Sequence, residues 1–161
     1  TGVSSAVPIF EEAGCIVKFS KDNSLKIDSP SRLCSNRLIR TMPYPGFPTD
    51  AQAPVMAMTT IADGTSMFVE NIFSNRYKHV GELLRLGADI KVEDKVAIVD
   101  GVKRLSGAKV KAMDLRGAAA LVVAGLSAEG KTVINGLSHL DRGYECIEKN
   151  LRNVGANIRR V

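Results

Sequence analysis

The 161-residue sequence predicts a layered α/β fold, and three observations lead to that prediction. Apolar segments at helical spacing alternate along the chain with short β-rich runs, which is typical of α/β domains. Two phrases of sequence recur, so this alternating order is itself repeated. Apolar residues make up 45% of the composition, which is enough to bury one core and too many to stay disordered in water.

The first repeated phrase reads as a helix end followed by an extended run. It occurs at 10–18, 83–91 and 151–159, and a glycine stands at the same place in each copy: Gly14, Gly87 and Gly155. The left-handed conformation that often closes a helix penalises any Cβ, so glycine is favoured there. Three helices are therefore predicted to end at these glycines.

The second phrase covers residues 60–69 and recurs at 126–135, an offset of 66 residues. The same offset places Asn75 and Arg76 on Asp141 and Arg142. This repeat is longer than the usual solenoid periods and indicates duplication of a small module. We expect one domain made of units at about 1–35 (partial), 36–100 and 101–161 (partial).

Within one unit the predicted order is strand, helix, strand, helix, strand, strand. Helical spacing of apolar residues predicts helices at 5–13, 51–62, 76–86, 115–128 and 141–154. The β-rich runs predict strands at 65–69, 89–93, 95–99, 108–111 and 132–135, with a hinge at Asp94. The helices at 51–62 and 115–128 are apolar enough to need cover on more than one side, so we expect them to be buried. Two incomplete units and a first residue of Thr1 indicate a domain truncated at its N-terminus, part of a longer polypeptide.

Composition argues against several classes of function. The net charge is +5, but the chain has no Trp, few aromatic residues and no basic run, so nucleic-acid binding is not predicted. The longest apolar stretch, 118–126, is too short to span a membrane. Three scattered cysteines indicate reduced thiols and a cytoplasmic protein, with Cys15 and Cys146 in the core and Cys34 in a loop.

Neither a metal nor a cofactor is predicted. His79 and His139 have no partner at ligand spacing, and the glycines form no phosphate-loop pattern.

Charged side chains cluster where predicted strands pass into helices. They are Asp50, Arg76, Asp114, Arg116 and Arg142. Helix N-termini carry unpaired N–H groups and suit anions, and arginine adds forked donors for phosphate or carboxylate. A carboxylate among these arginines would stay ionised and could accept a proton from a hydroxyl group.

A structural interpretation of the same residues stays open at this point. Asp114 and Asp141 are good N-cap residues, and Thr49 with Gln52 has capping-box spacing. The arginines could be solvated residues at helix ends. The residues alone therefore support an α/β repeat domain with a candidate anion site.

Several ordered motifs carry a resemblance to a known family. They are Pro-Thr-Asp-Ala-Gln at 48–52, Ile-Phe-Ser-Asn-Arg at 72–76, Leu-Ser-Gly-Ala at 105–108, Asp-Leu-Arg at 114–116 and His-Leu-Asp-Arg-Gly-Tyr at 139–144. From about residue 9 onward, the sequence resembles the C-terminal part of the UDP-N-acetylglucosamine 1-carboxyvinyltransferases, a family of enolpyruvyl transferases. The resemblance implies an inside-out α/β barrel of β-α-β-α-β-β units, with helices inside and sheets outside. It also implies a second domain of the same polypeptide, with substrates bound between the two.

The implied reaction transfers the enolpyruvyl group of phosphoenolpyruvate to the 3′-hydroxyl of UDP-N-acetylglucosamine, releasing phosphate through a tetrahedral intermediate. This is the first committed step of bacterial peptidoglycan synthesis. By resemblance, Asp50 would be the general base at the sugar hydroxyl. Arg116 and Arg142 would hold the phosphate and carboxylate of phosphoenolpyruvate.

The resemblance assigns further residues to the same site. Arg76 and Asp114 would line it, with Asp114 acting in proton transfer or orientation, and Ile72 and Phe73 would contact the nucleotide sugar. Gly117 departs from the family pattern, where alanine is expected, and would slightly loosen the helix start.

Some family features lie outside this stretch, and two alternative functions remain. The family's reactive loop cysteine and its N-terminal lysine-asparagine pair are absent here, so we expect the chain alone to fold but to be inactive. One alternative is a domain like 3-phosphoshikimate 1-carboxyvinyltransferase, the sister enzyme of the shikimate pathway. The other is a non-catalytic binding module of the same fold.

Overall fold

The computed structural model describes residues 3–161 and confirms the α/β class, with short sheets around two buried helices. A single 3-10 turn, Ser4–Ala6, leads into the first helix. The α-helices are α1 Val7–Glu12, α2 Thr49–Thr59, α3 Val80–Arg85, α4 Leu115–Ser127, α5 Leu137–Asp141 and α6 Ile147–Asn153. The strands are β1 Ile16–Phe19, β2 Leu25–Asp28, β3 Ile39–Arg40, β4 Thr65–Val69, β5 Asp89–Glu93, β6 Val96–Asp100, β7 Lys109–Lys111 and β8 Val133–Asn135.

The strands described form three sheets. Strands β1 and β2 make an antiparallel hairpin, and β7 pairs with β8 in parallel. The largest sheet has the order β3-β4-β6-β5, in which only the β3–β4 pair is parallel. The predicted order of elements is confirmed in β3-α2-β4-α3-β5-β6.

Each sheet lies within one of the units predicted from the repeats, although residues 1 and 2 of the first unit lie outside the described part. The division into units at about 36 and 101 stays a prediction.

Helices α2 and α4 pack against each other and form the centre of the core. Alanine recurs at their buried positions, including Ala53 and Ala57 on α2 and Ala120 and Ala124 on α4. Such small side chains allow two helix backbones to approach closely, while Phe68 and Leu121 fill the surrounding space. The expectation that these apolar helices are buried is confirmed.

The three predicted glycine caps are confirmed, and they share one geometry. Gly14, Gly87 and Gly155 have φ angles of 91°, 92° and 98°. In each copy the glycine N–H donates to the carbonyl three residues earlier, and the next N–H donates to the carbonyl five residues before it. This pair of hydrogen bonds is the Schellman motif, which satisfies the last carbonyl groups of a helix.

Two predicted helices are shorter than expected. The helix predicted at 76–86 begins only at Val80, because residues 70–79 form a loop with Asn75 at a φ of 59°. The helix predicted at 141–154 is interrupted, and Cys146 lies between α5 and α6 at a φ of 46°. Cys146 is exposed, so its predicted place in the core is wrong, whereas Cys15 is buried as predicted. The hinge predicted at Asp94 is confirmed by its φ of 50°.

No helix within residues 3–161 combines the length and apolar character needed to cross a membrane.

His79 is a buried histidine immediately before α3, and only 2% of its surface is exposed. Neither ring nitrogen has a hydrogen-bond partner in the described structure. Burial lowers the pKa of His79 to about 4, and this effect is only partly offset by the nearby carboxylate of Asp114. The imidazole is therefore neutral near pH 7.

We predict that acid weakens the chain through His79. The unfolded state takes up a proton near pH 6.5 and the folded state only near pH 4, so stability is greatest above pH 6.5 and falls as the pH is lowered. Between pH 7.5 and pH 5 the loss should be about 2 kcal/mol in the free energy of unfolding. Urea unfolding of the wild type and of His79→Leu at both pH values measures this loss. The free energy of unfolding should fall less in the variant than in the wild type.

The same replacement at His139, which is only partly buried, provides the control. Asp50 and Asp141, whose pKa values are lowered from 3.8, are ionised throughout this pH range and do not contribute to the difference. Equal pH dependence in the wild type and His79→Leu would contradict the prediction.

Candidate active site

The N-termini of α2 and α4 lie beside each other and carry a charged cluster. Asp50 is the second residue of α2, and Arg116 is the second residue of α4. Their side chains meet with Arg116 Nη2 donating to Asp50 Oδ2 at 2.8 Å. The packing of the two helices thus joins residues that are 66 positions apart in the sequence.

Arg76 approaches the other oxygen of the same carboxylate from the loop before α3. Its Nη2 lies 3.4 Å from Asp50 Oδ1. The side chains of Asp50, Arg76 and Arg116 are 55%, 26% and 29% exposed, so the cluster opens to solvent. With one carboxylate and two guanidinium groups, it carries a net charge of +1 and favours an anionic ligand.

The arginines stabilise the ionised form of Asp50. The hydrogen bond from Arg116 holds the pKa of Asp50 below its usual value of 3.8, partial burial opposes this, and the charges of both arginines add to the lowering. The reciprocal contact raises the pKa of Arg116, so both groups are charged. Arg116 Nη1 also lies 3.4 Å from the hydroxyl of Tyr144.

Asp114 is the N-cap of α4, as the structural interpretation predicts. Its backbone is extended, and its Oδ1 accepts a hydrogen bond of 2.7 Å from the N–H of Gly117. A Cβ at Gly117 would lie 3.1 Å from the Cβ of His79 and 3.2 Å from Asp114 Oδ1. Glycine at this position therefore accommodates the packing of His79 against the start of α4.

The Arg76 guanidinium contacts the ring of Phe73 as well as the carboxylate of Asp50. Its guanidinium carbon lies 4.7 Å from the centroid of the Phe73 ring, which is a cation–π distance. Its Nε is buried and has no hydrogen-bond partner among the described residues. Arg76 donates to Asp50 through its Nη2 instead.

Ile72 and Phe73 are both exposed, on the loop that also carries Arg76. Their backbone N–H groups donate to the buried carboxylate of Glu70, at 2.9 Å and 3.2 Å respectively. Further along, the hydroxyl of Tyr77 donates to the carbonyl of Lys95 at 2.9 Å. Burial raises the pKa of Tyr77 to about 12, and the charge of Glu70 adds to this, so the hydroxyl stays protonated.

Arg142 is exposed at the C-terminal end of α5, two residues before Tyr144. Within residues 3–161 its guanidinium makes no hydrogen bond or ion pair. The structure thus brings Asp50, Arg76 and Arg116 into direct contact and leaves Arg142 outside that contact. The role of Arg142 at the site stays a prediction.

Two capping predictions are wrong. Asp141 is the last residue of α5 instead of an N-cap, and it forms an ion pair of 2.6 Å with Arg160. Thr49 makes no capping box with Gln52, because the N-cap is Pro48 and the Thr49 hydroxyl donates to Glu70 instead.

Sequence reasoning missed Glu70 and the contact of Tyr144 with Arg116. The available signal for Glu70 was a carboxylate directly after the β-rich run 65–69, at the same strand-to-helix boundary as the residues that were predicted. Tyr144 lies in the His-Leu-Asp-Arg-Gly-Tyr motif, but nothing in that motif indicates which residue its hydroxyl contacts.

Comparison with known sequences gives consistent matches. The family model described as EPSP synthase (3-phosphoshikimate 1-carboxyvinyltransferase) matches residues 1–151. UDP-N-acetylglucosamine 1-carboxyvinyltransferase 2 of Caldanaerobacter subterraneus subsp. tengcongensis is 52% identical over 151 residues, covering 94% of this chain and 36% of that protein. The UDP-N-acetylglucosamine 1-carboxyvinyltransferase of Xylella fastidiosa strain M12 is 53% identical over 150 residues, covering 93% and 35%. The chain thus spans about a third of the length of these relatives.

Solved structures have the same fold. The enolpyruvyl transferase NikO from Streptomyces tendae matches with a TM-score of 0.89 and 26% identity, covering 99% of this chain and 36% of that one. EPSP synthase from Acinetobacter baumannii matches with a TM-score of 0.60 and 16% identity over 81% of this chain and 31% of that one, a likeness of fold alone.

We predict that Arg116→Gln raises the pKa of Asp50 towards 3.8, because the variant removes both the main hydrogen bond and a positive charge. NMR titration of the Asp50 side-chain carboxyl carbon in the chain measures the change. Arg104→Gln, which breaks an exposed ion pair with Glu129 elsewhere, should leave the Asp50 titration as it is in the wild type. An unchanged midpoint in Arg116→Gln would show that Arg116 does not control this carboxylate.

Proposed function

The chain belongs to the EPSP synthase family, and we propose that it forms part of a UDP-N-acetylglucosamine 1-carboxyvinyltransferase. In that role it would help to transfer the enolpyruvyl group of phosphoenolpyruvate to the 3′-hydroxyl of UDP-N-acetylglucosamine, with release of phosphate. The observation that carries the proposal is the exposed Asp50 carboxylate held between the guanidinium groups of Arg76 and Arg116. Relatives named for this activity at 52–53% identity support this choice of substrates.

The reaction needs a base and an anion site next to each other, and the cluster offers both. The sugar oxygen forms a bond to C2 of phosphoenolpyruvate, the hydroxyl proton passes to Asp50, and C3 of the enol takes up a proton. The resulting tetrahedral intermediate then loses phosphate from C2 and gives up a proton from C3 to solvent, which restores the C2–C3 double bond of the enolpyruvyl group now attached to the sugar oxygen. In this proposal, Arg116 and Arg142 bind the phosphate and carboxylate of phosphoenolpyruvate and stabilise charge in the transition state.

Anion binding would also change the basicity of Asp50. The carboxylate now occupies donors of Arg76 and Arg116 that a phosphate group could take. Once those donors turn to the ligand, the pKa of Asp50 rises from its lowered value, and the carboxylate becomes a stronger base for the sugar hydroxyl. Arrival of phosphoenolpyruvate would thus prepare the base for proton transfer.

Asp114 is better suited to orientation than to proton transfer. Its Oδ1 caps α4 through the N–H of Gly117 at 2.7 Å and so fixes the helix turn that presents Arg116. Ile72 and Phe73 are proposed to contact the nucleotide sugar, since both are exposed on the loop that holds Arg76 beside Asp50.

We further propose that the three units at about 1–35, 36–100 and 101–161 belong to one domain of an inside-out barrel. A second domain, with the family's reactive cysteine and its lysine-asparagine pair, would close the cleft over the exposed cluster. The proposed setting is cytoplasmic peptidoglycan synthesis, and with it cell-wall formation, cell shape and cell division.

One alternative substrate has an observation in its favour. The matched family model is described by its 3-phosphoshikimate enzyme, so shikimate 3-phosphate is a second candidate acceptor. An assay decides between the two acceptors. The full-length polypeptide that carries this chain is given phosphoenolpyruvate with each acceptor separately. Phosphate release that depends on UDP-N-acetylglucosamine is expected, and dependence on shikimate 3-phosphate would favour the alternative.

We predict that Asp50→Asn in the full-length polypeptide lowers the rate of phosphate release by about 100-fold or more, because it removes the general base. Folding should be nearly unchanged, since Asp50 is largely exposed and caps no helix. Asp63→Asn, which removes an exposed carboxylate paired with Arg32, provides the matched control. Retained turnover together with a large loss of thermal stability in Asp50→Asn would assign Asp50 a structural role instead.

We also predict that the 161-residue chain alone releases no phosphate from the two substrates, because the remaining parts of the proposed cleft are absent. A sensitive phosphate assay on the purified chain tests this, with the full-length polypeptide as the positive control. Turnover by the chain alone would contradict the division of the site between two domains.

A further inference from the structure

Glu70 is a buried carboxylate that follows β4 and lies behind the loop of the candidate site. Only 2% of its surface is exposed, and within residues 3–161 it forms no ion pair with Lys or Arg. A buried carboxylate without a cationic partner is costly unless hydrogen bonds compensate it. The hydrogen bonds of Glu70 therefore indicate what this residue does.

Four donors converge on the two oxygens of Glu70. Oε2 accepts from the hydroxyl of Thr49 at 2.9 Å. Oε1 accepts from the hydroxyl of Thr41 at 2.9 Å and from the backbone N–H groups of Ile72 and Phe73. In all four contacts a hydroxyl or N–H group donates and a carboxylate oxygen accepts, so the polarity of each contact is correct.

These donors belong to different parts of the candidate site. Thr49 is the first residue of α2 and directly precedes Asp50. Ile72 and Phe73 are the proposed contacts of the nucleotide sugar, and the hydroxyl of Thr41 also accepts the N–H of Asn71 at 2.9 Å. One side chain thus connects the helix start that carries the proposed base with the loop that is proposed to bind the acceptor.

Other hydrogen bonds of the loop join it to neighbouring strands and turns: the N–H of Asn71 donates to the Thr41 hydroxyl, and the Tyr77 hydroxyl donates to the carbonyl of Lys95. An open groove of about 910 Å³ runs between residues 73–77 and residues 91–96, so one side of the loop faces solvent. The ion pair between Arg76 and Asp50, at 3.4 Å, contributes little because the Asp50 carboxylate is exposed to solvent, which screens the attraction. The hydrogen bonds to Glu70, whose side chain is buried, are the stronger link between loop and helix.

We propose that Glu70 is a positioning residue that sets the distance between the Asp50 carboxylate and the bound acceptor sugar. This inference rests on the proposed function. Glu70 acts through Thr49 on one side and through the Ile72 and Phe73 amides on the other, and it touches neither substrate. A shift of about 1 Å at either end is enough to lower the rate of reaction roughly 100-fold.

Thr49 offers the sharpest test, because one hydroxyl can be removed without changing the size of the side chain. In the full-length polypeptide, Thr49→Val should lower kcat for phosphate release by about 10-fold, and Thr49→Ser, which keeps the hydroxyl, should restore most of it. Thr59→Val makes the same change at the other end of α2, where, among residues 3–161, the hydroxyl bonds only to the carbonyl of Met56. This control should keep the wild-type kcat.

Glu70→Ala removes both ends of the link. It should lower kcat and also raise the KM for UDP-N-acetylglucosamine, with a smaller effect on the KM for phosphoenolpyruvate. If Glu70 and Thr49 served stability alone, their variants would lower the melting temperature and leave kcat and KM of the folded enzyme unchanged. That result would overturn the proposal, as would a Thr49→Ser variant as slow as Thr49→Val.

Hydrogen exchange separates this proposal from the proposed function. In the same polypeptide without substrates, Glu70→Ala should speed amide exchange at Ile72 and Phe73 by at least about 10-fold, with Ile90 in the β5–β6 hairpin unchanged. Unchanged exchange at the two loop amides would overturn the role of Glu70. A wild-type polypeptide that transfers no enolpyruvyl group would overturn the proposed function, and the exchange result would still decide whether Glu70 holds the loop.

Discussion

The close packing of α2 against α4 is the constraint on which the site depends. The alanines at 53, 57, 120 and 124 are buried on these two helices, and they allow the backbones to approach with the two N-termini beside each other. The N-termini present Asp50 and Arg116, whose side chains are in contact although they lie 66 positions apart in the sequence. A large side chain introduced at these alanines would disturb this packing and with it the positions of Asp50 and Arg116.

The electrostatics of the site follow from that arrangement. The exposed Asp50 carboxylate accepts from two guanidinium groups, and an incoming anion would compete with it as an acceptor for the same donors. The helix starts contribute to the same preference for negative charge. Two carboxylates support this pair through backbone N–H groups: Asp114 accepts from Gly117 at the start of α4, and Glu70 accepts from Ile72 and Phe73 in the loop. The structure thus combines backbone contacts at the helix start and the loop with an exposed charge pair.

Local rules predicted much of the fold, whereas long-range contacts decided where the predictions failed. The three glycine caps and the Asp114 cap could be predicted from the sequence because each depends on a few neighbouring residues. The capping box at Thr49 was wrong because its hydroxyl donates to Glu70, 21 residues away. The helix predicted at 76–86 was too long because Asn75, directly before it, is left-handed and the chain becomes helical only at Val80. The sequence pattern predicted that charged residues lie at helix starts, but only the structure identified which of their side chains are in contact.

A crystal structure of the full-length polypeptide with UDP-N-acetylglucosamine bound would show whether the joined N-termini of α2 and α4 present Asp50 to the acceptor sugar. We predict the 3′-hydroxyl oxygen at roughly 2.6–3.2 Å from a carboxylate oxygen of Asp50, within reach for proton transfer. A sugar hydroxyl bound beyond hydrogen-bonding distance, with Asp50 still closed on Arg116, would contradict this prediction.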